Sequence, residues 1–242
     1  MKIGIIGFGR LGKLAAQNLA QDSDLSVFDI KGLEAEIKAV GAKARPLAEV
    51  AASDIVLPIV PISELKATLN SIKNYIKPGA LVIDVCSVKE APVQWMKEIL
   101  PSHCEILGTH PMFGPDSAKL TLYGSKIVLC PVRINEEKLK NIDNYLQTHG
   151  LHTITCTPTE HDKQIAHSLI LTHFVGRGLV EFGASDLEID TKGYRRLMKI
   201  LETVVNDSWQ LFEDMNHYNK YAKEMREQFI KSLQTIDHKV RT

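Results

Sequence analysis

The amino-acid sequence predicts an α/β protein in which a doubly wound parallel sheet is followed by an all-helical domain. Three observations lead to this prediction. Short apolar segments alternate with helical segments through residues 1–156, and a glycine-rich turn joins the first apolar segment to an alanine-rich helix. From Glu160 onward the chain has no proline and no strand pattern, and its apolar residues follow helical spacing. We therefore expect one domain over residues 1–156 and a second over residues 157–242.

The composition is that of a globular protein, because 44% of the 242 residues are hydrophobic and 24% are charged. The 29 Lys and Arg residues balance the 29 Asp and Glu residues, so the charge favours neither nucleic acid nor an anionic membrane. No apolar run approaches the ~18 residues that cross a membrane. Glycines and Arg10 interrupt the apolar N-terminus where a signal peptide would have its core. We expect a cytoplasmic protein.

The cysteine and histidine spacings predict neither a disulfide framework nor a metal site. No C-x-x-C pair occurs, and no two histidines have the i, i+4 spacing of a helical zinc motif. Reduced, buried thiols are the expectation for all four cysteines. They are Cys86, Cys104, Cys130 and Cys156.

The predicted elements of the first domain follow one another in the order that a doubly wound sheet requires. The apolar runs predict strands at 3–6, 25–28, 54–57, 80–85, 105–107, 126–130 and 151–155. The helical patterns lie at 14–20, 32–40, 65–76, 90–100 and 136–149, with a helical turn at 46–51.

The turn after the first strand carries a G-x-G-x-x-G motif, the dinucleotide-binding pattern of a Rossmann sheet when strand and helix flank it. Its residues are Gly7, Phe8, Gly9, Arg10, Leu11 and Gly12. The first glycine permits the tight turn, and the second lets the backbone approach a pyrophosphate. The third lets the helix pack close to the strand. The helix N-terminus then offers free N–H groups to the phosphates.

Asp29 ends the second predicted strand, where this fold places an acid on the adenosine ribose. That carboxylate favours NAD, since it would accept from both ribose hydroxyls and repel the extra phosphate of NADP. NADP stays open as an alternative because Arg10 and Lys31 carry positive charge nearby. A strand-end Asp also suits a cap for the next helix. Pro58 begins a rigid Pro-Ile-Val-Pro loop at the ligand-facing end of another strand, so we count it among the cofactor residues.

Two further strand ends carry polar side chains on the same crevice rim. Ser87 and Lys89 follow the strand at 80–85, and Ser87 would also serve as the N-cap of the next helix. We expect Lys89 to bind substrate. His110 lies in a loop that two prolines and two glycines stiffen, and an imidazole held there is a natural general base.

The second domain consists of three helical stretches whose apolar residues cover more surface than a monomer of this size buries. We therefore expect a homodimer through the helical domain. A Rossmann domain lacks its own substrate pocket, so polar groups on these helices are candidates for binding an anionic substrate, and Arg grips a carboxylate at two points. The pair His161 and Asp162 fits a helix-start cap as well as a site.

Five segments, in this order, resemble the prephenate/arogenate dehydrogenase family of tyrosine biosynthesis. They are GFGRLG (7–12), DVCSVK (84–89), THPMFGPDSA (109–118), HDKQIAHSLILTHFVGR (161–177) and DTKGYRRLM (190–198). The resemblance implies an oxidoreductase that moves a hydride from a cyclohexadienyl ring alcohol to a nicotinamide, with loss of the ring carboxylate as CO₂. The segments THFVGR and TKGY are most similar to plant-type arogenate dehydrogenases.

The resemblance also implies roles for single residues. His110 matches the catalytic His that takes the proton of the ring hydroxyl, and Ser87 matches the Ser that orients that His and the hydroxyl. Arg195 matches the Arg that binds the substrate carboxylate. His173 matches a His that lines the pocket from the helical domain.

Two departures from the family pattern affect the substrate residues. Some prephenate-specific relatives carry a second His where this chain has Gly176, and Arg177 is the candidate to substitute for it. Arg195 and Arg196 are adjacent, and side chains one residue apart on a helix point about 100° apart. Only one of them should face the pocket, and the motif favours Arg195.

Some alternatives stay open on the sequence alone. Prephenate and arogenate differ by a keto or an amino group, and Asp116 would suit either an amino group or a loop turn. Another Rossmann-plus-helical oxidoreductase, of the hydroxy-acid dehydrogenase or imine reductase type, would need a base such as Lys163 on the first helix of the second domain. A catalytically silent nucleotide-sensing protein would need neither His110 nor Ser87.

Overall fold

The computed structural model describes residues 1–118 and 121–241 and divides the chain into two compact units. The first unit is Met1–His161 and the second is Asp162–Thr242. The domain boundary predicted between residues 156 and 157 stays a prediction.

The first unit is built on one sheet of eight strands, in the order β3-β2-β1-β4-β5-β6-β7-β8. The strands are β1 Lys2–Ile6, β2 Asp24–Phe28, β3 Lys43–Ala44, β4 Ile55–Pro58, β5 Leu81–Asp84, β6 Glu105–Pro111, β7 Lys126–Arg133 and β8 His152–Thr155. The first six strands are parallel, which confirms the predicted doubly wound sheet. Strand β3 was not predicted, because its two residues are too few to show the alternation of a strand.

One edge of the sheet departs from the parallel arrangement. Strand β7 pairs antiparallel with β6, and β8 is parallel to β7, so these two strands run opposite to the rest. An antiparallel neighbour needs no crossover helix. The described residues between β6 and β7 accordingly contain no helix.

Helices connect the parallel strands and cover the sheet. They are α1 Arg10–Leu19, α2 Glu34–Ala39, α3 Leu47–Ala51, α4 Ile62–Ile72, α5 Glu90–Ile99 and α6 Glu136–Thr148. Helix α7 Pro158–Ile165 follows the last strand, and the division between the two units falls within it. Apolar residues of β1, such as Ile3 and Ile5, pack with β2 and with Ala16 of α1 into one buried cluster. Strands β5, β6 and β7 share a second cluster around Leu107 and Leu129. Such apolar strands are typical of sheets buried on both faces.

The sheet order brings five candidate site residues to one edge. Strands β2, β1, β4, β5 and β6 are neighbours and point the same way, so their carboxyl ends lie side by side. The residues at or just beyond these ends are Asp29, Gly7, Pro58, Ser87 and His110. This edge is where open α/β sheets bind their ligands.

The second unit is helical. A π-helical turn, Ala166–Ile170, separates α7 from α8 Leu171–Phe182, and α9 Lys192–Val204, α10 Trp209–Tyr218 and α11 Ala222–Arg241 follow. In the sequence, apolar residues at helical spacing continue from Leu197 to Phe212, but they belong to two helices. The break falls before Ser208, whose side chain accepts a hydrogen bond from the Leu211 N–H and caps α10. In the described part of the chain, no helix is both long and apolar enough to span a membrane.

Candidate active site

The three glycines of the turn between β1 and α1 serve different purposes. Gly7 has a φ of +100°, and a Cβ there would lie 2.2 Å from the Ile59 carbonyl oxygen. A Cβ on Gly12 would lie 2.2 Å from the Gly7 carbonyl oxygen. Gly7 and Gly12 are thus required by the fold itself. Around Gly9, by contrast, no described atom lies within 4 Å of the Cβ position, which leaves space for a ligand to approach the backbone.

The N-terminus of α1 is arranged to receive an anion. The helix begins at Arg10 with Gly9 as its N-cap, no side chain caps it, and its first turn contains no acidic residue. Its first N–H groups and the positive end of its dipole therefore point at the open space beside Gly9. The Arg10 guanidinium forms an ion pair of 2.6 Å with Asp116 Oδ1, and both side chains are about half exposed. Asp116, a candidate for recognising an amino group, is thus tied to the glycine turn.

Asp29 stabilises the same turn from the end of β2. Its Oδ2 accepts a hydrogen bond of 2.7 Å from the Phe8 N–H, and its Oδ1 accepts one of 2.8 Å from the Lys31 N–H. Each carboxylate oxygen accepts more than one hydrogen bond, so the group retains capacity for ribose hydroxyls. Asp29 caps no helix, since α2 begins at Glu34 and has no side-chain cap.

His110 is the second-last residue of β6, whereas the sequence predicted it in the loop after that strand. Its side chain is buried, and its Nδ1 lies 2.8 Å from Nε2 of His161. Burial lowers the pKa of His110 well below 6.5, and the neighbouring His161 and the Lys89 ammonium add to this effect. The imidazole is therefore neutral near pH 7, as a general base must be.

Among the described residues, Ser87 neither caps α5 nor hydrogen-bonds His110, and its expected hydrogen bond to the substrate hydroxyl stays a prediction. Its Oγ is buried and makes no hydrogen bond among residues 1–118 and 121–241. It does not cap α5, whose N-cap is Lys89, and the partner of His110 is His161 instead.

Lys89, predicted to bind substrate, is a buried structural residue. Its side chain is fully buried, and its Nζ lies 2.6 Å and 2.5 Å from the two carboxylate oxygens of Asp84. It also donates to the Thr109 carbonyl, next to His110. An ammonium enclosed in this way has no face left for a substrate, so we correct its role to positioning the end of β6.

The second unit holds a separate polar cluster on α8 and the segment before α10. His173 is buried, and its Nε2 lies 3.6 Å from Asp207 Oδ2. Arg177 donates to the Asp207 carbonyl at 2.5 Å and lies 5.5 Å over the Trp209 ring. Burial lowers the pKa of His173, and Arg177 reinforces this while Asp207 opposes it.

The two adjacent arginines of α9 are both exposed. Arg195 lies 3.6 Å from Asp190 Oδ1 in an ion pair, and its side chain is 62% exposed. Arg196 is exposed as well. At Gly176 a Cβ would lie 2.7 Å from a methyl group of Val204, so α9 leaves no room for the second His of some relatives.

His161 is the site residue that sequence reasoning left unassigned. It lies 51 residues from His110 along the chain, and no local pattern links the two. Its sequence context, at the start of a helix and before an acid, fits a cap equally well. Only the tertiary structure brings the two rings together.

Unpartnered buried atoms coincide with predicted site residues. In the described part of the chain, the buried side-chain nitrogen and oxygen atoms that lack a hydrogen-bond partner are Ser87 Oγ, His173 Nδ1 and Arg177 Nε. A buried polar atom without a partner costs about 1–3 kcal/mol, so such atoms are rare and each calls for an explanation. A polar ligand would supply the missing partners.

Comparison with known proteins identifies relatives of the whole chain. The family model described as "Prephenate dehydrogenase, nucleotide-binding domain" matches residues 22–155, and one described as "TYRAAT1-like, C-terminal domain" matches residues 179–242. Arogenate dehydrogenase 2, chloroplastic, from Arabidopsis thaliana is 30% identical over 98% of this chain and 69% of that protein. Arogenate dehydrogenase 1, chloroplastic, from the same plant is also 30% identical, over 98% of this chain and 38% of that protein.

A solved structure has the same fold. Prephenate dehydrogenase from A. aeolicus, in complex with hydroxyphenyl propionate and NAD+, superposes with a TM-score of 0.80 at 21% identity. The superposition covers 99% of this chain and 90% of that one. The nucleotide-binding model spans more than half of the sequence, and the Arabidopsis relative aligns along nearly all of it. This chain therefore belongs to the prephenate/arogenate dehydrogenase family.

Proposed function

We propose that this chain catalyses the oxidative decarboxylation of prephenate or arogenate, with NAD as the hydride acceptor. Family membership supports the reaction class. The observation that carries the proposal is the coincidence of unpartnered buried atoms in the described residues with Ser87 and His173, which the family motifs assign to the site, and with Arg177, the candidate to substitute for a second His. A neutral, buried His110 at the ligand-binding edge of the sheet supplies the base that the reaction needs.

The residues around the glycine turn fit a dinucleotide. The open space at Gly9 and the uncapped N-terminus of α1 suit a pyrophosphate, and the Asp29 carboxylate suits ribose hydroxyls. A carboxylate disfavours the extra phosphate of NADP, so NAD is the proposed cofactor. When bound, NAD supplies the acceptor for the hydride. Pro58, at the end of β4, belongs to the same edge.

His110 is proposed as the general base. Its Nε2 would take the proton of the ring hydroxyl as the carbonyl forms, while the ring carboxylate leaves as CO₂ and its bonding electrons complete the aromatic ring. Ser87 Oγ would hydrogen-bond the same hydroxyl, which explains why it has no partner within the described protein. Aromatisation provides the driving force, so the protein needs chiefly to align the ring and accept one proton.

The helical unit is proposed to bind the anionic part of the substrate. Arg195 would bind a carboxylate, because its guanidinium is exposed and its ion pair with Asp190 is long, at 3.6 Å. His173 and Arg177 would line the pocket through the atoms that now lack partners. In this proposal residues 1–156 bind the cofactor and residues 157–242 bind substrate.

The assembly and location are also part of the proposal. Helix α11 has 20 residues, of which Ala222 and Met225 are buried, and its outer part exposes apolar side chains. A second copy of this chain would cover that face, giving a homodimer through the helical domain. We propose a cytoplasmic location, while the two Arabidopsis relatives are named as chloroplastic.

The decisive experiment measures reduction of NAD and of NADP with prephenate and with arogenate, by the absorbance of the reduced nicotinamide. For the wild type, we expect turnover with NAD and at least one of the two substrates. The variant His110→Asn should have a kcat lower by ~10²–10⁴-fold, while its binding of NAD should be unchanged. Arg195→Ala should raise the KM of the substrate far more than that of NAD, with Arg196→Ala as the matched control. No turnover with either substrate would refute the proposal.

A further inference from the structure

The contact between His110 and His161 constrains where their protons lie. His110 Nδ1 and His161 Nε2 are 2.8 Å apart, and the two rings meet edge to face with centroids 5.0 Å apart. A neutral imidazole has one nitrogen that donates and one that accepts. At this distance one of the two facing nitrogens carries a hydrogen and the other a lone pair.

The base chemistry selects one of the two arrangements. A general base must present an unprotonated nitrogen to the substrate, and Nδ1 of His110 is already occupied by His161. The reacting nitrogen is therefore Nε2. In a neutral ring this puts the hydrogen on Nδ1, which then donates to the lone pair of His161 Nε2.

The surroundings keep the ring of His110 neutral. His161 of α7 contacts the ring of His110. The Lys89 ammonium, just before α5, is close enough to act on the ring electrostatically, and it forms an ion pair with Asp84 of β5. Opposite His110 on β7 lies Val128, which is apolar. The burial of the ring, His161 and the Lys89 ammonium all disfavour a second proton on His110 before substrate binds.

The first turn of α7 is anchored so that it holds His161 in place. Thr157 and Glu160 form a reciprocal cap, in which Glu160 Oε2 accepts from the Thr157 N–H and hydroxyl. Thr159 Oγ1 donates to Glu90 Oε1 of α5 at 2.5 Å. His161 itself is buried, and its N–H donates to the Thr157 carbonyl.

We infer that His161 is a positioning residue that holds His110 in the Nδ1–H tautomer and so exposes Nε2 as the base. It plays for His110 the part that a carboxylate plays for the histidine of a Ser-His-Asp triad, but it accepts through a ring nitrogen instead of a carboxylate oxygen. This inference rests on the proposed function, since it assigns a partner to the proposed base.

The first test reads the tautomer directly in the protein without substrate or cofactor. Long-range ¹H–¹⁵N spectra of ¹⁵N-histidine-labelled protein near neutral pH distinguish protonated from unprotonated ring nitrogens, and His110→Gln and His161→Gln assign the signals. We expect His110 protonated at Nδ1 and His161 unprotonated at Nε2. A hydrogen on Nε2 of His110 would overturn the inference.

The second test separates positioning from folding. His161→Gln retains an acceptor near the Nε2 position, whereas His161→Phe retains the ring shape without one. We expect His161→Phe to lower kcat by ~10–10³-fold, with little change in the KM of the substrate. This loss is smaller than the ~10⁴-fold loss of kcat in a Ser-His-Asp triad when its histidine adopts the wrong tautomer. His161→Gln should restore most of the kcat lost in His161→Phe. The matched control is His103→Phe, whose ring contacts the Ile76 carbonyl beyond the opposite end of β6.

The dependence of kcat on pH gives a third test, because it would not change if His161 had a purely structural role. Removing the second imidazole removes one cause of the lowered pKa of His110, so the acid limb of kcat should shift to higher pH in His161→Phe. An unchanged kcat and an unchanged limb in that variant would contradict the inference. If the wild type reduces no NAD with either substrate, the proposed function fails, while the spectra still decide the tautomer.

Discussion

His110 and His173 are both buried, and burial lowers the pKa of each imidazole. For His110, the facing His161 and the Lys89 ammonium act in the same direction. For His173, the Asp207 carboxylate opposes the effect of burial and Arg177 reinforces it. Both rings therefore stay neutral at pH values where an exposed histidine takes up a proton. This protects the proposed base in mildly acidic solution, but the folded state pays for it in stability.

We predict that the protein loses stability as the pH falls below about 6.5, the ordinary pKa of a histidine in the unfolded chain. Below that value these histidines bind protons in the unfolded chain, whereas the buried rings of the folded state remain neutral. Protonation therefore favours unfolding. His110→Gln should show a smaller drop in Tm between about pH 7.5 and pH 5.5 than the wild type.

The control for this prediction is His149→Gln. His149 is exposed, and its contacts with the Tyr145 carbonyl and Asp22 raise its pKa, so its contribution has the opposite sign and is weakened by solvent. Its removal should leave the acid-induced drop in Tm at least as large as in the wild type. Equal drops in His110→Gln and the wild type would refute the prediction.

At the scale of single residues, the sequence was informative where a local motif carries the chemistry. His110 and Ser87 lie at or just beyond strand ends within recognisable segments, so their location at the carboxyl edge of the sheet was predictable. The burial of Lys89 was not, because a lysine after a strand is normally solvated, and only the enclosed Asp84 draws it inward. The contact of His161 depends on the path of the chain over 51 residues.

At the scale of elements, the turn between β1 and α1 separates folding from binding. Gly7 and Gly12 are needed because a Cβ at either position would collide with a backbone carbonyl oxygen. The space at Gly9 has no role in packing among the described residues. The sequence motif predicted the packing roles of Gly7 and Gly12 because the geometry of this turn is local, while the contact of Gly9 with a pyrophosphate stays a prediction. The extension of β6 through His110 was less predictable, since it depends on pairing with β7, a strand that begins 15 residues after Pro111 ends β6 (111 to 126).

We predict that Gly9→Ala weakens NAD binding without destabilising the fold. Gly9 has a φ of −67°, which alanine adopts freely, and the added methyl group would enter only the space proposed for the pyrophosphate. The Kd for NAD, measured by titration calorimetry, should rise by about tenfold or more, equivalent to ~1.4 kcal/mol. The Tm should stay close to that of the wild type.

Gly178→Ala is the matched control for this prediction. Gly178 lies within α8 and is also surrounded by open space. Alanine is a better helix former than glycine by about 1 kcal/mol, so this variant should be slightly more stable and bind NAD normally. A Gly9→Ala protein with unchanged Kd would mean that the pyrophosphate does not approach this backbone.

At the scale of the whole molecule, the exposed apolar surface of α11 is the feature that needs a partner. Beyond its first turn, the helix carries apolar residues that are 43% to 77% exposed. They are Ile230, Leu233, Ile236 and Val240. With 3.6 residues per turn these side chains share one face of the helix. Contiguous apolar patches on monomers are rare and mark interaction sites.

We predict that the wild type is a homodimer of twice 27.0 kDa and that Leu233→Glu combined with Ile236→Glu makes it monomeric. Two carboxylates on the apolar face would have to be buried without partners in the dimer, which costs several kcal/mol. Size-exclusion chromatography with light scattering at low micromolar concentration measures the mass of both proteins. Lys231→Glu with Thr235→Glu adds carboxylates to the opposite face of α11 and should leave the dimer intact. A wild type of 27.0 kDa would refute the dimer, and a dimeric Leu233→Glu/Ile236→Glu protein would move its interface away from α11.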